Sequence, residues 1–298
     1  MDDIKIKCGT KEDFRIAIDN MYENVHWFNS YEDFNVYTNA CPDGYKFMSA
    51  KKSKGEFVGS SSIALYRDGI AFIDQFFVMP EYRKLGIGRQ LFEAIFDENL
   101  RKDYNVGLHS EVAISDYYNK KHGFNHFNDV FIDVIRITNI LERSSRNKNF
   151  RTTTNAIEAL DDVCKFDARI WKKSRKVFLS EWIQRKDARF LAVYINGEMF
   201  GYGVIRHATS KSGYLFGPIY AINDEAFLTL FDGLVESVEN DAVIELRSPS
   251  INSARLHQLL DNRATLNNYS KYITQYTKSI PECNYEPVYA ITDTSIPV

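Results

Sequence analysis

One stretch limits what this chain can fold into more than any other: IDQFFVMPEYRKLGIGRQLFEAIF, Ile73 to Phe96. It begins as a strand, because Ile73, Phe76, Phe77 and Val78 form an apolar run broken only by Asp74 and Gln75. Pro80 closes that strand, since proline cannot donate to a sheet ladder. Arg83-Lys84-Leu85-Gly86-Ile87-Gly88 follows, and then a helix whose Ile87, Leu91, Ala94 and Ile95 recur at helical spacing.

A basic, glycine-rich bend that opens a helix is an anion site. The first amides of a helix have no internal acceptors, and the helix dipole adds partial positive charge there. Gly86 and Gly88 let a ligand approach the backbone, while Arg83, Lys84 and Arg89 add formal charge. A phosphate or pyrophosphate suits such a bend. There is no GxxxxGK[ST] for a nucleoside triphosphate and no GxGxxG for a dinucleotide. The competing structural reading is a tight strand-to-helix turn on a basic surface.

The run VMPEYRKLGIG resembles the acyl-CoA signature of the GCN5-related N-acetyltransferase (GNAT) superfamily, [RQ]-x-x-G-x-[GA] with a V-x-P-x-x-R lead-in. YNKKHGF, Tyr118 to Phe124, resembles the last helix motif of that family. The resemblance implies an α/β (α+β) fold with a mixed, mostly antiparallel central sheet flanked by helices. It implies acetyl-CoA as donor, a small-molecule or lysine-like amine as acceptor, and no metal. It also assigns the pyrophosphate to the backbone of Leu85, Gly86, Ile87, Gly88 and Arg89, beside Arg83 and Lys84. The pantetheine arm would pair with the backbone of Phe76, Phe77 and Val78.

Composition agrees with a globular protein: hydrophobic residues are 44% and charged residues 26% of the 298. That length allows one large or two ordinary domains. A formal net charge of -3 gives no support for nucleic-acid binding. Cys8, Cys41, Cys164 and Cys283 form no CxxC pair, so neither zinc nor a disulfide framework is indicated. The charged N-terminus lacks the apolar core of a signal peptide, and no apolar run is long enough to span a bilayer. A reducing, cytoplasmic or nuclear setting with no membrane partner is expected.

Before the glycine bend, Ile4, Ile6 and Cys8 alternate as an edge strand. Thr10 and Asp13 cap a helix over Lys11 to Glu23. A second short helix is expected near Ser30. Strands are expected over Tyr45–Ala50, Glu56–Tyr66 and Gly69–Val78, with Asp68-Gly69 as a hairpin turn. After the bend come a strand at Asn105–Ser110, a helix at Ser115–Phe124 capped by Gly123, and a strand at Phe131–Ile137. By the resemblance, Trp27, Phe28 and Tyr31 are candidates to wall the acceptor site; simple packing on the sheet is the competing reading.

Acyl transfer to an amine needs a base, because a lysine-like ammonium with a pKa of ~10.4 cannot attack. Asp74 is the one carboxylate on the strand. Even spacing places it on the same face as Phe76 and Val78. The family's glutamate is often found two residues earlier, where this chain has Phe72. Asp74 is therefore the candidate base, with an ion pair or a capped sheet end as the alternative. For the acid, the family's tyrosine position holds Asn119, with Tyr118 one residue earlier. Tyr118 is the candidate acid, and Asn119 could instead bond the pantetheine or the sulfur. His109, His122 and His126 pair with no carboxylate or cysteine at ligand spacing and read as structural.

From Glu142 to Thr154 the chain is polar and basic and reads as a linker. The element order then repeats. Helices are expected from near Asn155, at Ser174–Arg185, at Asp224–Glu239 and over NSARLHQLLDN. Strands are expected at Phe190–Ile195, Met199–His207, Ser212–Tyr220 and Ala242–Leu246. The expected division is an acetyltransferase domain over 1–141, a linker over 142–154, and a degenerate copy over 155–298 that covers or shapes the acceptor cleft. The degeneracy is local: GPIYAINDEAFL stands where the first half has PEYRKLGIGRQL, and Asp224 and Glu225 there would repel a pyrophosphate. The leading expectation is an acetyl-CoA-dependent N-acyltransferase. The alternatives are a CoA sensor or pseudoenzyme, and a protein-interaction module.

Overall fold

The structure is a computed structural model describing residues 3–41, 44–141, 149–209, 213–236 and 238–297. Chain order in the first half is β1 (Ile4–Cys8), α1 (Lys11–Val25), α2 (Asp33–Ala40), β2 (Tyr45–Lys52), β3 (Phe57–Leu65) and β4 (Ile70–Val78). It continues through α3 (Ile87–Ile95), α4 (Glu98–Asp103), β5 (Asn105–Glu111), α5 (Ser115–His122), β6 (His126–Phe127) and β7 (Ile132–Thr138). The second half holds β8 (Arg151–Thr153), α6 (Ala156–Trp171), α7 (Lys176–Ile183), β9 (Ala188–Ile195), β10 (Glu198–His207) and β11 (Gly213–Ala221). Then come α8 (Asp224–Val235), β12 (Val243–Pro249), α9 (Ser250–Leu260), β13 (Thr265–Tyr276) and β14 (Val288–Ala290).

Local chemistry explains the boundaries. Thr10 and Asp13 make the reciprocal capping box that starts α1. Asn155 caps α6 by accepting from the Glu158 amide. Gly123, with φ 78°, ends α5 in the left-handed conformation that glycine adopts without strain. Of the expected linker, residues 142–148 lie outside the described residues, and Arg151–Thr153 is strand β8, paired antiparallel to β9. Ser212, the expected start of β11, also lies outside them. α4, β6, β8, β13 and β14 have no counterpart in the sequence reading.

The main sheet path runs β1-β2-β3-β4-β5-β13-β7-β12-β11-β10-β9-β8. It is mostly antiparallel, with β4–β5 and β11–β12 parallel. The order is close to a palindrome of two equal halves, except at the centre. There β13 from the second half pairs with β5 and β7, and β7 from the first half pairs with β12. Each half's sheet is therefore continued by a strand of the other: β13 beside β5, and β7 beside β12. One apolar core crosses the junction, joining Tyr37 and Phe72 to Phe166, Phe178, Trp182 and Tyr276. Burying a side chain of that size contributes roughly 1.5–3 kcal/mol, so the halves stabilise each other. Among the described residues no helix is long and apolar enough to cross a membrane.

Two features of β4 shape the cleft beside it. β4 pairs with β5 only from Ile70 to Ile73, so the edge of β4 from Asp74 to Val78 that faces β5 has no strand partner. β4 also carries a bulge: Ser60 pairs with Phe77 but Ser62 pairs with Asp74, and Gln75 takes φ 52°. The extra residue breaks the alternation. Ala71, Ile73, Phe76 and Val78 pack on the α3 side, while Phe72 and Phe77 pack on the other. Asp74 follows Phe72, not Phe76. The even-step argument that gave Asp74, Phe76 and Val78 one face is thus corrected.

Candidate active site

The bend between β4 and α3 is built as the sequence predicts. Lys84 (φ 65°) and Gly86 (φ 83°) turn the chain left-handed, and Gly86 is the N-cap of α3 with no side-chain cap bond. Among the described residues, no acceptor engages the amides of Leu85, Gly86, Ile87, Gly88 or Arg89. These amides and the helix dipole form a ready cradle for a diphosphate. A Cβ on Gly88 would lie 3.4 Å from the Phe76 ring, so glycine keeps the first turn of α3 close to β4. Arg83 is fixed by its Nε donating to the Val78 carbonyl at 3.0 Å. Arg89 makes an exposed pair with Glu93, and the Ile87 side chain is buried in the core, so Ile87 can serve only through its backbone.

From this cradle a cavity of about 450 Å³ runs along the unpaired edge of β4 and ends between the two halves. Arg83, Lys84 and Gly88 line one end; Asp74, His109, Arg247, Tyr272 and Thr294 line the other. Arg247, Tyr272 and Thr294 all come from the second half.

Asp74 sits at that far end. It accepts hydrogen bonds from the Thr294 hydroxyl at 2.9 Å, from the Ser295 hydroxyl, and from Gln75 Nε2 at 3.3 Å. Burial, reinforced by the nearby Asp293 charge, raises its pKa above the ordinary carboxylate value. The hydroxyl bonds pull the other way without cancelling the rise. No cation lies at ion-pair distance from Asp74 among the described residues.

Behind Asp74 lies a buried ionic network. Arg185 pairs with Asp33 at 2.8 Å and Asp187 at 2.7 Å, and Arg206 with Asp293 at 3.0 Å. Arg247 pairs with Asp293 at 2.8 Å and Glu245 at 3.2 Å, and Arg136 pairs with Glu245 at 3.1 Å. Burial works against the Asp293 charge, yet Arg206 and Arg247 hold its carboxyl below the ordinary range. The network anchors the segment Asp293–Ser295, and so places the two hydroxyls that hold Asp74. Removing one member would strand buried charge at a cost of ~3–5 kcal/mol.

Tyr118 lines the cavity, its ring 6.4 Å from Phe76 and 5.9 Å from Phe92. Burial raises its pKa well above that of free tyrosine, so it keeps its proton at neutral pH. Asn119, a ~100° turn further along the helix, is not among the residues that line the cavity. His109 also faces the cavity, but Thr274 engages its Nδ1 at 2.9 Å and the Ile296 carbonyl accepts from its Nε2 at 3.2 Å. Burial lowers its pKa to about 4, so it is neutral and fully bonded.

Of the three aromatic candidates, only Trp27 lines the cavity. Phe28 is buried beneath the Arg136 guanidinium and contributes its carbonyl to Arg247 Nη2 at 3.0 Å. Tyr31 turns back to bond Asp19. Sequence reasoning missed Asn29, Gln75, Arg247, Tyr272 and Thr294. The polar Asp-Gln break in an apolar strand was the one local signal of the bulge; the remaining residues are placed by long-range pairing.

The equivalent place in the second half is built differently. Asn223 caps α8, accepting from the Ala226 amide at 2.9 Å, so one of the amides at that helix start is already taken. β11 and β12 also part, after Phe216 and Leu246, but β14 fills the gap: Ile219 pairs with Ala290, and the Ile291 amide bonds the Arg247 carbonyl at 2.9 Å. A Cβ on Gly217 would lie 2.4 Å from the Ile291 carbonyl oxygen, so the fit is close. The chain's own C-terminal strand lies where the first half keeps an open edge.

Comparison with known proteins agrees with this architecture. Two acetyltransferase (GNAT) domain models match, one over residues 16–134 and one over 163–282. The fold resembles a Pyrococcus horikoshii protein assigned as an acetyltransferase, with TM-score 0.73 and 19% identity over 98% of this chain and 95% of that one. It also resembles a tandem GNAT protein from the clavulanic acid biosynthesis pathway, with TM-score 0.66 and 13% identity over 92% of this chain and 98% of that one. A GCN5-related N-acetyltransferase from Sphaerobacter thermophilus is similar at TM-score 0.61 and 13% identity, over 98% of each chain. No curated protein matches the sequence. The chain belongs to the GCN5-related N-acetyltransferase superfamily and is of the tandem type.

Proposed function

We propose that this protein transfers an acetyl group from acetyl-CoA to a primary amine by direct attack within a ternary complex. The observation that carries the reading is the continuity of one cavity. It links the unpaired amides of the α3 bend, along the open edge of β4, to a half-buried carboxylate with no cation partner among the described residues. Each part suits a piece of acetyl-CoA: the amides its pyrophosphate, the bare strand edge its pantetheine, and the gap beside Tyr118 its thioester.

The residues then divide the work. Arg83 and Lys84 add charge beside the cradle. A backbone amide on the open edge of β4 polarises the thioester carbonyl. Asp74 holds the incoming ammonium and takes its proton, directly or through water; its raised pKa makes it a better base than an ordinary aspartate. Tyr118, still protonated, donates to the departing sulfur. The first half, residues 1–141, binds the donor. The second half, 155–298, closes the acceptor end through Arg247, Tyr272 and Thr294. The unpaired cysteines suit a reducing compartment such as the cytoplasm.

The direct test is release of free thiol from acetyl-CoA across a panel of primary amines. Amine-dependent release is expected; tight acetyl-CoA binding without it would assign the chain as a sensor instead. A second result is expected from calorimetry: one acetyl-CoA per chain, because Asn223 and β14 occupy the second half's equivalents of the cradle and open edge. Two bound per chain would contradict that reading.

A further inference from the structure

Resting on the transferase reading, the chemistry of the acceptor end narrows the class of amine. Three buried polar atoms there have no hydrogen-bond partner among the described residues: Asn29 Nδ2, Gln75 Oε1 and Arg247 Nε. Their residues are 7%, 5% and 6% exposed, and all three line the cavity. The amide orientations are fixed by chemistry. Gln75 must turn its nitrogen to Asp74 at 3.3 Å, and that nitrogen also donates to Asn29 Oδ1 at 3.2 Å. The relay leaves Gln75 an acceptor and Asn29 a donor. With Arg247 Nε, the residues that line this end hold two unmatched donors and one unmatched acceptor beyond Asp74. Each buried polar atom left unmatched by a bound molecule costs about 1–3 kcal/mol.

Charge decides what they match. Arg136, Arg185, Arg206 and Arg247 are answered by Asp33, Asp187, Glu245 and Asp293. Among the described residues at this end of the cavity no positive charge is left over for an anion, and Glu111 adds a further carboxylate to the wall. Among the described residues Asp74 is the uncompensated carboxylate at the inner end of the cavity, which suits one ammonium there. An amino acid's carboxylate would meet Glu245 and Asp293 beside Arg247. A polyamine or plain alkyl amine would bring no oxygen for the two donors. A hydroxyl both accepts and donates, so it satisfies Asn29 or Arg247 on one side and Gln75 on the other.

We propose that the acceptor is a small hydroxylated amine with one ammonium and no carboxylate, of the amino-alcohol or amino-sugar class. Asn29, Gln75 and Arg247 would read its hydroxyls and Asp74 its nitrogen.

The test is calorimetric binding of matched amines to the CoA-loaded full-length protein. Serinol is compared with isopropylamine, which lacks the hydroxyls, and with serine, which adds a carboxylate. D-Glucosamine is compared with cyclohexylamine. In at least one series the hydroxylated amine is expected to bind at least tenfold more tightly than its alkyl partner, and serinol more tightly than serine. Asn29→Leu is expected to shrink the hydroxyl preference to under threefold while CoA affinity stays unchanged. Alkyl amines or serine binding as tightly as the hydroxylated probes would overturn the proposal, as would a preference that survives Asn29→Leu. Binding is read without turnover. Failure of thiol release therefore bears on the transferase reading, and failure of the hydroxyl preference bears on this one.

Discussion

Gly86→Glu is expected to weaken acetyl-CoA binding at least ~100-fold, about 2.8 kcal/mol at 1.4 kcal/mol per tenfold, while leaving the fold in place. A Cβ at Gly86 meets nothing within 4 Å, so the new side chain has room. Its backbone sits at φ 83°, which costs a non-glycine residue about 1–2 kcal/mol. That strain lowers the melting temperature modestly but does not dislodge α3, whose Ile87, Leu91 and Phe92 stay buried. The loss of affinity comes from the carboxylate, which stands at the positive end of the helix and competes for the same free amides. Gly86→Ala separates the two effects: it carries the strain without the charge and is expected to lose less than tenfold in affinity. Calorimetry with acetyl-CoA and thermal melts of both variants decide the matter. Retained affinity in Gly86→Glu would move the diphosphate elsewhere.

That first site was legible because it is local. A proline-ended strand, two glycines and three basic residues within one short run specify a turn, a helix start and a charge, and none depends on distant chain. The acceptor end was not legible, because distant residues define it. Gln75 creates a bulge that reverses the face of every later β4 residue, and period-two counting cannot see an inserted residue. β13 reads as the polar run TLNNYSKYITQY because its first half is largely exposed, yet it separates β5 from β7 and sets the frame around Tyr272. Thr294 and Ser295 have no periodicity at all; Asp293 is held by Arg206 and Arg247, and that anchor brings the two hydroxyls to Asp74. The degeneracy of the second half was half visible. The missing glycines were plain in the sequence, whereas occupation of the cleft by β14 required the fold.

The second large effect is expected at Asp74, the residue these distant parts surround. Asp74→Asn is expected to lower kcat by ~10²–10⁴-fold, the usual worth of a positioned general base, with acetyl-CoA affinity unchanged. Wild-type kcat/KM is expected to rise with pH through an inflection above the ordinary aspartate range, because burial raises this carboxyl; the variant should lose that limb. Stability moves the opposite way. A carboxyl whose pKa is raised on folding contributes most below its unfolded value of ~3.9, and the contribution is lost as pH rises through the folded value. At pH 7–8 the ionised Asp74 is therefore a cost to the fold. The asparagine side chain of the variant would still offer an oxygen to Thr294 and Ser295. The variant should melt at or above the wild-type temperature at pH 8 and lose that advantage near pH 4. A variant that kept activity within threefold would remove Asp74 from the chemistry. One that melted several degrees lower at pH 8 would make it a structural carboxylate, held for the junction between the halves rather than for the proton.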